Sequence, residues 1–468
     1  MPIVTTGNVQ SHLYNAWLAG LIEAGRAPGL WIEPRLTNVL IDQVLAALLR
    51  RFDAGPTERI VSCFAILNFF WAAFVYLSVT SRERADWFIP WLAALAYGYV
   101  FQLGLLNCYI AIGFSLWVLG LFERKLDLRR GILAVALTVL TILSHPIPAA
   151  WLIGTLGYRI IAARLSVAAQ RWLFAGSVTS LILGRFWLTR HLLYQWNVRQ
   201  FGMILGADQL VIYDWKYLFA AVPFAVTLLV MLWRALQSRQ LTFGPRVQIF
   251  ALTALAIAVL PTTMRTSPTA AWAGLIAERL SLLTPLLLLG SLPVPPPRLA
   301  LRALAWVAVA CFFSFLYVDL SVAARLEARM EALMQTKPEG ERFVTYLWDF
   351  DPSQQPQPML RRVLHKISQA VLIHGISLKD LLSRACIGRC FDYQNYEPAT
   401  GQFRIRAKPG NSLVLATVQE IALMEGGYYV RKASDPPLHL LYRCGPERAE
   451  LCLHSLEIGE MGRTIAEK

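Results

Sequence analysis

Residues 60–79 form an uncharged apolar segment, IVSCFAILNFFWAAFVYLSV, that decides the fold class of the chain. Its length matches the roughly 20 residues that an α-helix needs to cross the hydrocarbon core of a bilayer. Similar apolar segments follow it almost without interruption as far as Leu320. The sequence therefore predicts a mainly α-helical polytopic membrane protein with about ten transmembrane helices between residues 60 and 320.

The composition of the whole chain agrees with a membrane protein. Hydrophobic residues make up 56% of the 468 residues and charged residues only 16%, whereas soluble domains carry about 25% charged residues. The formal net charge of +14 does not indicate nucleic-acid binding, because the basic residues fall in short loops between apolar segments. We therefore expect membrane lipid as a partner and no nucleic acid.

Lys and Arg are distributed unequally between alternate loops. One set of loops holds 13 basic residues in 46 positions: 81–87, 123–130, 164–171, 234–246 and 293–302. The other set is much longer and holds 10: 1–59, 104–106, 146, 190–216 and 263–279. The positive-inside rule makes the first set cytoplasmic. This predicts a multi-pass protein whose carboxy-terminal region is exoplasmic. Arg greatly outnumbers Lys, a composition typical of GC-rich bacterial genomes, so we expect the membrane to be the bacterial inner membrane.

The predicted transmembrane domain, residues 60–320, separates two segments of different character. Residues 1–59 are predicted to be exoplasmic, with helix-like stretches at 11–25 and 37–51 that are amphipathic, too short to span, and suited to lie in the interface plane. Residues 321–468 are predicted to form a small exoplasmic α+β domain. Its strand-like runs are Phe343–Trp348, Phe403–Ile405, Tyr428–Val430 and Leu438–Tyr442. Its helical stretch is Met359–Ile373.

Polar groups occur at two predicted exoplasmic turns. The apolar stretch 88–122 is too long for one spanning helix and must turn near Gly104 to Asn107, which places Asn107 and Tyr109 at the membrane face. The stretch 131–163 breaks at His145-Pro146, because proline disfavours a continuing helix. Asn107, Tyr109 and His145 are therefore candidate substrate-binding residues, although an Asn in a turn and a His that caps a helix also have structural explanations.

The run Ser11-His12-Leu13-Tyr14-Asn15-Ala16-Trp17 combines polar and aromatic groups in the exoplasmic segment. Its functional interpretation is contact with a glycan or phosphate through His12, Tyr14, Asn15 and Trp17. The alternative is an amphipathic interfacial helix with Ser11 as its N-cap. Two arginines, Arg265 and Arg279, flank a later exoplasmic loop, and a guanidinium can bind a lipid phosphate bidentately. Their alternative role is that of interfacial anchors.

Four cysteines lie in the carboxy-terminal region and are disulfide candidates: Cys386, Cys390, Cys444 and Cys452. An exoplasmic compartment permits disulfides, and four cysteines allow three connectivities that the sequence does not distinguish. The segment from Cys386 to Cys390 has no partner histidine and the wrong spacing for a zinc knuckle. No metal ligand set is predicted.

The Ser11–Trp17 run, the exoplasmic amino-terminal segment, the multiple spans and the His145-Pro146 turn together resemble the GT-C class of membrane glycosyltransferases. This class includes protein O-mannosyltransferases and lipid A aminoarabinose transferases. A closer likeness is to a branch of uncharacterised bacterial proteins that share the Ser-His-x-Tyr-Asn-Ala-Trp run and a Cys-Ile-Gly-Arg-Cys segment. The resemblance covers essentially the whole chain. It implies a polyprenyl-phosphate sugar as donor substrate and sugar transfer to an acceptor on the exoplasmic face.

The chain departs from this class at its amino terminus. The class has a first spanning helix and then a catalytic Asp or Glu early in the first exoplasmic loop. Here we expect that helix to be missing, and Asn8, four residues before His12, stands about where the carboxylate is expected. Asn8 and His12 are thus the candidate catalytic positions, although an Asn cannot act as a general base. The carboxylates that would have to substitute, with no spacing to select one, are Glu23, Asp42, Asp208 and Asp214.

Three functions therefore stay open. A glycosyltransferase would bind a lipid-phosphate sugar at Arg279 and an acceptor near His12 and Tyr14. A non-enzymatic lipid or glycan transporter would need ionisable residues along a path through the spans, which are nearly charge-free. A catalytically inactive protein would bind glycans or a partner without turnover. No cofactor is predicted, a divalent metal requirement is left open, and the acceptor is a glycan, a lipid or a protein.

Overall fold

A computed structural model shows a mainly helical chain with a few short strands, as predicted. It describes residues 9–26, 32, 36–80, 85–124, 127–238, 241–265, 274–292, 298–340, 342–345, 378–397, 402–405, 416–417, 421–423, 428–430, 438–444 and 450–456. The helices are α1 Val9–Glu23, α2 Leu40–Leu49, α3 Ala54–Thr80, α4 Ile89–Ala96, α5 Tyr99–Gln102, α6 Leu106–Phe122, α7 Leu128–Ser144, α8 Pro146–Ala162, α9 Val167–His191, α10 Leu218–Gln237, α11 Pro245–Val259, α12 Ile276–Ser281, α13 Thr284–Ser291, α14 Leu299–Gln335 and α15 Leu378–Cys386.

Among the described helices, three are long and apolar enough to cross a membrane. They cover Ala54–Thr80, Trp215–Gln237 and Leu299–Gln335, with 27, 23 and 37 residues. Helices of this length and apolarity indicate that the protein associates with a membrane. The other apolar helices are shorter, so the predicted number of about ten spans stays a prediction.

The breaks predicted inside the apolar stretches are present. Gly104 has a φ of +69° and separates α5 from α6, because a left-handed backbone conformation favours glycine. His145 separates α7 from α8, and its Nδ1 accepts a hydrogen bond from the backbone N–H of Ile147 at 3.2 Å. A further break at Tyr97-Gly98, between α4 and α5, was not predicted. Asn107 lies inside α6 rather than in the turn before it.

The chain divides into two compact units. One comprises residues 62–317, and the other comprises residues 1–61 together with 318–468. The sequence predicts residues 1–59 and residues 321–468 to be separate segments, whereas the contacts of the backbone group them in one unit. Each unit is described by itself below.

Helix α6 forms the centre of the unit of residues 62–317, and nearly all of its residues are buried. Close packing there depends on Gly113, because a Cβ at this position would lie 2.1 Å from Nδ2 of Asn68. Asn68 in turn donates to the carbonyl of Ile110 at 3.2 Å and accepts from the indole N–H of Trp117 at 3.2 Å. These bonds satisfy a polar side chain that would otherwise be costly inside an apolar bundle.

One carboxylate joins the ends of three helices in this unit. Glu123, at the end of α6, lies 2.7 Å from Nη1 of Arg159 in α8 and 2.6 Å from Nη2 of Arg246 in α11. Arg246 also donates to the carbonyl of Thr80 at 3.1 Å, at the end of α3. The Glu123 side chain is only 4% exposed, so its charge is compensated almost entirely by the two arginines.

We expect Glu123→Gln to destabilise the protein by about 2–3 kcal/mol. Removal of one partner of a buried ion pair costs about 3–5 kcal/mol, and the half-exposed Arg246 lowers this value because water screens its charge. The midpoint of thermal unfolding in detergent measures the effect. Glu23→Gln is the matched control, because Glu23 pairs with Arg50 at the surface and such pairs contribute about 0–1 kcal/mol. Equal midpoints for the two variants would contradict the assignment.

The other unit contains α1, α2 and α15, and α1 differs from the prediction. Its residues from Val9 to Ala16 are all buried, including the polar side chains, so α1 is not an amphipathic helix that presents one polar face to water. Ser11 lies inside this helix and is not its N-cap. In α2 only Ile41, Asp42 and Leu45 are buried.

Helix α15 is held by an arginine and a disulfide. Arg384 lies 3.1 Å from Glu327 and 3.7 Å from Glu58. Cys386, at the end of α15, forms a disulfide with Cys390. The disulfide is one of those that the sequence allowed, and it fits the predicted oxidising compartment.

The carboxy-terminal strands overlap all four predicted strand-like runs, although residues 346–348 of the first run lie outside the described residues. The strands are β3 Arg342–Thr345, β4 Phe391–Glu397, β5 Gln402–Ile405, β6 Ala416–Thr417, β7 Ile421–Leu423, β8 Tyr428–Val430, β9 Leu438–Cys444 and β10 Glu450–Leu456. Six form one sheet in the order β10-β9-β3-β4-β5-β6, and β7 pairs with β8. Cys444 faces Glu450 and Cys452 faces Tyr442 in the register of β9 with β10. The predicted helix Met359–Ile373 lies outside the described residues.

Candidate functional site

The short helix α12 carries two ionisable side chains and one hydroxyl within four positions: Glu278, Arg279 and Ser281. Two three-residue strands, β1 Leu193–Gln195 and β2 Thr263–Arg265, pair antiparallel just before it. The backbone N–H of Ile276 donates to the carbonyl of Thr262 at 3.0 Å, which fixes the start of α12 against this ribbon. We call α12 and the side chains that contact it the α12 centre.

Asp208 is the central carboxyl group of the α12 centre. It lies in a 3₁₀ helix, Ala207–Leu210, and its Oδ2 accepts from the hydroxyl of Ser281 at 2.7 Å and from the amide of Gln209 at 3.0 Å. Its other oxygen, Oδ1, is buried and has no hydrogen-bond partner among the described residues. Burial raises the pKa of Asp208 to about 7, although the bonds from Ser281 and Gln209 oppose this rise.

Gln209 fixes the position of Asp208 relative to α12. Its fully buried amide also donates to the backbone carbonyl of Glu278 and to the hydroxyl of Ser281, both at 2.8 Å. Its carbonyl oxygen accepts from the backbone N–H of Val100 at 3.3 Å. One side chain therefore links α5, the 3₁₀ helix and α12, and it holds the carboxyl group of Asp208 beside Ser281.

Arg279 is a cation with no anionic partner in the part of the chain that the structure describes. Its Nη1 lies 3.0 Å from Nε2 of His145, and its buried Nε has no hydrogen-bond partner among the described residues. The neighbouring carboxylate of Glu278 instead accepts from the hydroxyl of Thr262 at 2.6 Å. Burial, and then the charge of Arg279, hold the pKa of His145 well below its usual value, so this imidazole is neutral and does not compensate the guanidinium.

The structure thus brings together two of the predicted binding residues, His145 and Arg279, which are separated by 134 positions in the sequence. It also places Asp208, one of the four substitute carboxylates considered above, against the same short helix. Ser281, Gln209 and Thr262 were not predicted. No local pattern marks them, because each belongs to a different loop or helix end and their roles depend on tertiary contacts.

The other predicted substrate-binding residues of this unit lie in the packed core or in a strand rather than in the α12 centre. Tyr109 is buried, donates to the carbonyl of Ala96 at 2.9 Å and packs against Phe69 and Phe101. Asn107 is buried in α6. Arg265 lies at the end of β2 and opposes Leu193 in the register, whereas its side chain and Asn8 lie outside the described residues.

The Ser11–Trp17 run lies in α1, in the unit that contains residues 1–61. His12 is buried, and its Nδ1 lies 2.7 Å from Oδ1 of Asp42 in α2. Asn15 is buried one turn further along the helix. Tyr14 and Trp17 pack against each other with ring centroids 5.4 Å apart. The structure therefore selects Asp42 as the carboxylate beside His12.

Gly206→Ala is expected to disrupt the α12 centre and to lower stability by about 1–3 kcal/mol. Gly206 has a φ of +70°, and a Cβ there would lie 2.6 Å from the carbonyl oxygen of Ser281 and 2.7 Å from Pro285. The displacement would separate Ser281 from Asp208. Thermal unfolding of the purified protein measures the loss. The matched control is Gly202→Ala, because nothing lies within 4 Å of a Cβ at Gly202; an equal loss in both variants would contradict the expectation.

Comparison with known proteins identifies no relative. No family model, no curated protein and no solved structure matches this chain. The function is therefore inferred from the geometry of the site alone.

Proposed function

We propose that the protein is a membrane glycosyltransferase that moves a sugar from a polyprenyl-phosphate donor to an acceptor hydroxyl on the exoplasmic face. The observation that carries the proposal is the half-buried guanidinium of Arg279, which contacts a neutral imidazole and no carboxylate of the described residues. Its Nε is buried and has no hydrogen-bond partner among the described residues, and an unsatisfied buried donor costs free energy. A ligand that brings a negative charge to this point therefore gains binding energy from Arg279.

A phosphate is the anion that best fits Arg279. A guanidinium has five N–H donors in a planar fork that matches phosphate oxygens, and Arg279 uses only Nη1 for His145. His145 orients the fork without neutralising it. Since the chain contains helices long enough to cross a membrane, a phosphate on a lipid is the form of this anion that we expect at the site.

Asp208 supplies the general base in this proposal. The acceptor oxygen attacks the anomeric carbon of the donor, the bond from that carbon to the phosphate oxygen breaks, and the acceptor proton passes to Asp208. The leaving group is the polyprenyl phosphate, whose charge Arg279 stabilises. A pKa of about 7 suits this role, because a base works best when its pKa lies near the operating pH.

The proposed function is tested by incubation of the purified full-length chain in lipid nanodiscs with radiolabelled polyprenyl-phosphate sugars and a membrane extract as the source of acceptors. We expect transfer of label to an acceptor and release of polyprenyl phosphate. Transport of labelled donor across proteoliposomes without turnover would favour the transporter instead. Binding without either turnover or transport would favour the inactive glycan-binding protein.

A further inference from the structure

A second group of polar side chains is buried in the unit that contains residues 1–61. It consists of His12 and Asn15 in α1 and Asp42 in α2, and we call it the α1–α2 polar cluster. The exposed fractions of the three residues are 5%, 2% and 4%. His12 and Asn15 lie three positions apart in a helix and therefore share a face, and Asp42 contacts His12 at 2.7 Å.

Several hydrogen-bonding atoms of this cluster have no partner among the described residues. They are Oδ1 and Nδ2 of Asn15 and Oδ2 of Asp42, all of them buried. Buried polar atoms without partners cost folding free energy, so proteins rarely keep them unless a water or a ligand satisfies them. The cluster therefore contains two acceptor oxygens and one donor nitrogen whose hydrogen bonds are not made by the described residues.

The chemistry of these atoms limits what can satisfy them. Oδ1 of Asp42 is already engaged by Nδ1 of His12 at 2.7 Å, so Oδ2 is the Asp42 oxygen that is left to accept a hydrogen bond. Asn15 both donates and accepts. A phosphate dianion only accepts hydrogen bonds, so it cannot satisfy the acceptor atoms of the cluster. An ammonium group only donates, so it cannot satisfy Nδ2 of Asn15. A neutral hydroxyl group donates and accepts, and adjacent hydroxyls match several atoms at once.

We infer that the α1–α2 polar cluster is a binding site for a neutral polyhydroxylated ligand, that is, an uncharged carbohydrate. Its hydroxyls donate to Asp42 Oδ2 and Asn15 Oδ1 and accept from Asn15 Nδ2. The binding site itself does not depend on sugar transfer. The choice of a carbohydrate among neutral polyhydroxylated ligands rests on the proposed function.

Binding is tested by saturation-transfer difference NMR on the full-length protein in nanodiscs, with no polyprenyl phosphate present. The probes are the methyl glycosides of mannose, glucose, galactose and N-acetylglucosamine, with methyl phosphate and ethylammonium as charged probes. We expect saturation transfer to at least one methyl glycoside that depends on Asn15 and Asp42, whereas any transfer to methyl phosphate, which Arg279 can bind, does not depend on them. Because the measurement contains no donor, its outcome is independent of whether the chain transfers sugar.

Two variants locate the signal. Asn15→Leu removes a buried amide of similar volume, and Asp42→Asn keeps the shape of the side chain; each is expected to weaken binding by about tenfold or more through lost hydrogen bonds. Gln43→Ala changes an exposed residue of α2 and should bind as the wild type does. Thermal unfolding confirms that each variant is folded. No transfer to any methyl glycoside, a methyl phosphate signal that is lost in Asn15→Leu, or a methyl glycoside signal unchanged in a folded Asn15→Leu variant would overturn the inference.

Discussion

Asp208→Asn is expected to lower the rate of sugar transfer by about 10²–10⁴-fold, the contribution typical of a general base. An amide has the same shape as the carboxyl group and still accepts from Ser281, but it cannot take the proton of the acceptor. The structural role of Asp208 would therefore be kept while its proposed chemical role is lost. Steady-state rates with saturating donor measure the difference.

The pH dependence distinguishes loss of a base from loss of structure. The base form of Asp208 is the carboxylate, and its pKa is raised to about 7, so the wild-type rate should rise as pH increases through about 7 and level off above it. The residual rate of Asp208→Asn should not show this rise. Asp127→Asn is the matched control, because Asp127 caps the start of α7 and Asn caps helices equally well. A rise through pH 7 that persists in Asp208→Asn would exclude Asp208 as the base.

Arg279→Gln is expected to reduce kcat/KM for the polyprenyl-phosphate donor by about 100-fold or more. Loss of one partner of a hydrogen-bonded charge pair in an interface costs about 2–5 kcal/mol, and the half-buried position of Arg279 places the expected loss toward the lower part of this range. In the proposed mechanism Arg279 contacts the phosphate both before and after the sugar leaves, so we expect KM to rise as well as kcat to fall. Arg279→Lys should recover part of the activity, since an ammonium keeps the charge but not the planar fork.

The control for Arg279 is Arg199→Gln, which removes an exposed arginine from the loop 190–216. A positive charge on the protein surface attracts any anionic lipid over a Debye length, and this general effect should be similar at the two positions. Equal losses in the two variants would mean that Arg279 acts only through surface charge. A loss confined to Arg279→Gln supports a direct contact with the phosphate.

The helical breaks could be predicted from the sequence because their causes are local. Pro146 cannot continue a helix and Gly104 adopts a left-handed conformation, so both positions mark turns without tertiary information. The burial of α1 could not be predicted in the same way. Its apolar residues are spaced as in an interfacial helix, and only packing within the folded unit explains why its polar residues are buried as well.

The candidate site was predictable only in part. Arg279 and His145 were selected because charged and ionisable groups at membrane depth need a reason to be there. Their mutual contact, and the convergence of Asp208 and Ser281 on one short helix, depend on residues separated by 73 positions or more. Asp42 was one of four carboxylates with equal standing, and only the contact with His12 distinguishes it.

The central claim is that Arg279 binds the phosphate of a polyprenyl lipid, and it is tested most directly by ligand-induced thermal stabilisation of the purified protein. The wild type and Arg279→Gln are each heated with polyprenyl phosphate and with the corresponding polyprenol, which has the same chain but no phosphate. We predict that the phosphate stabilises the wild type more than the alcohol does, and that this difference disappears in Arg279→Gln. Equal stabilisation of the wild type by both lipids, or a phosphate-dependent difference that persists in Arg279→Gln, would contradict the claim.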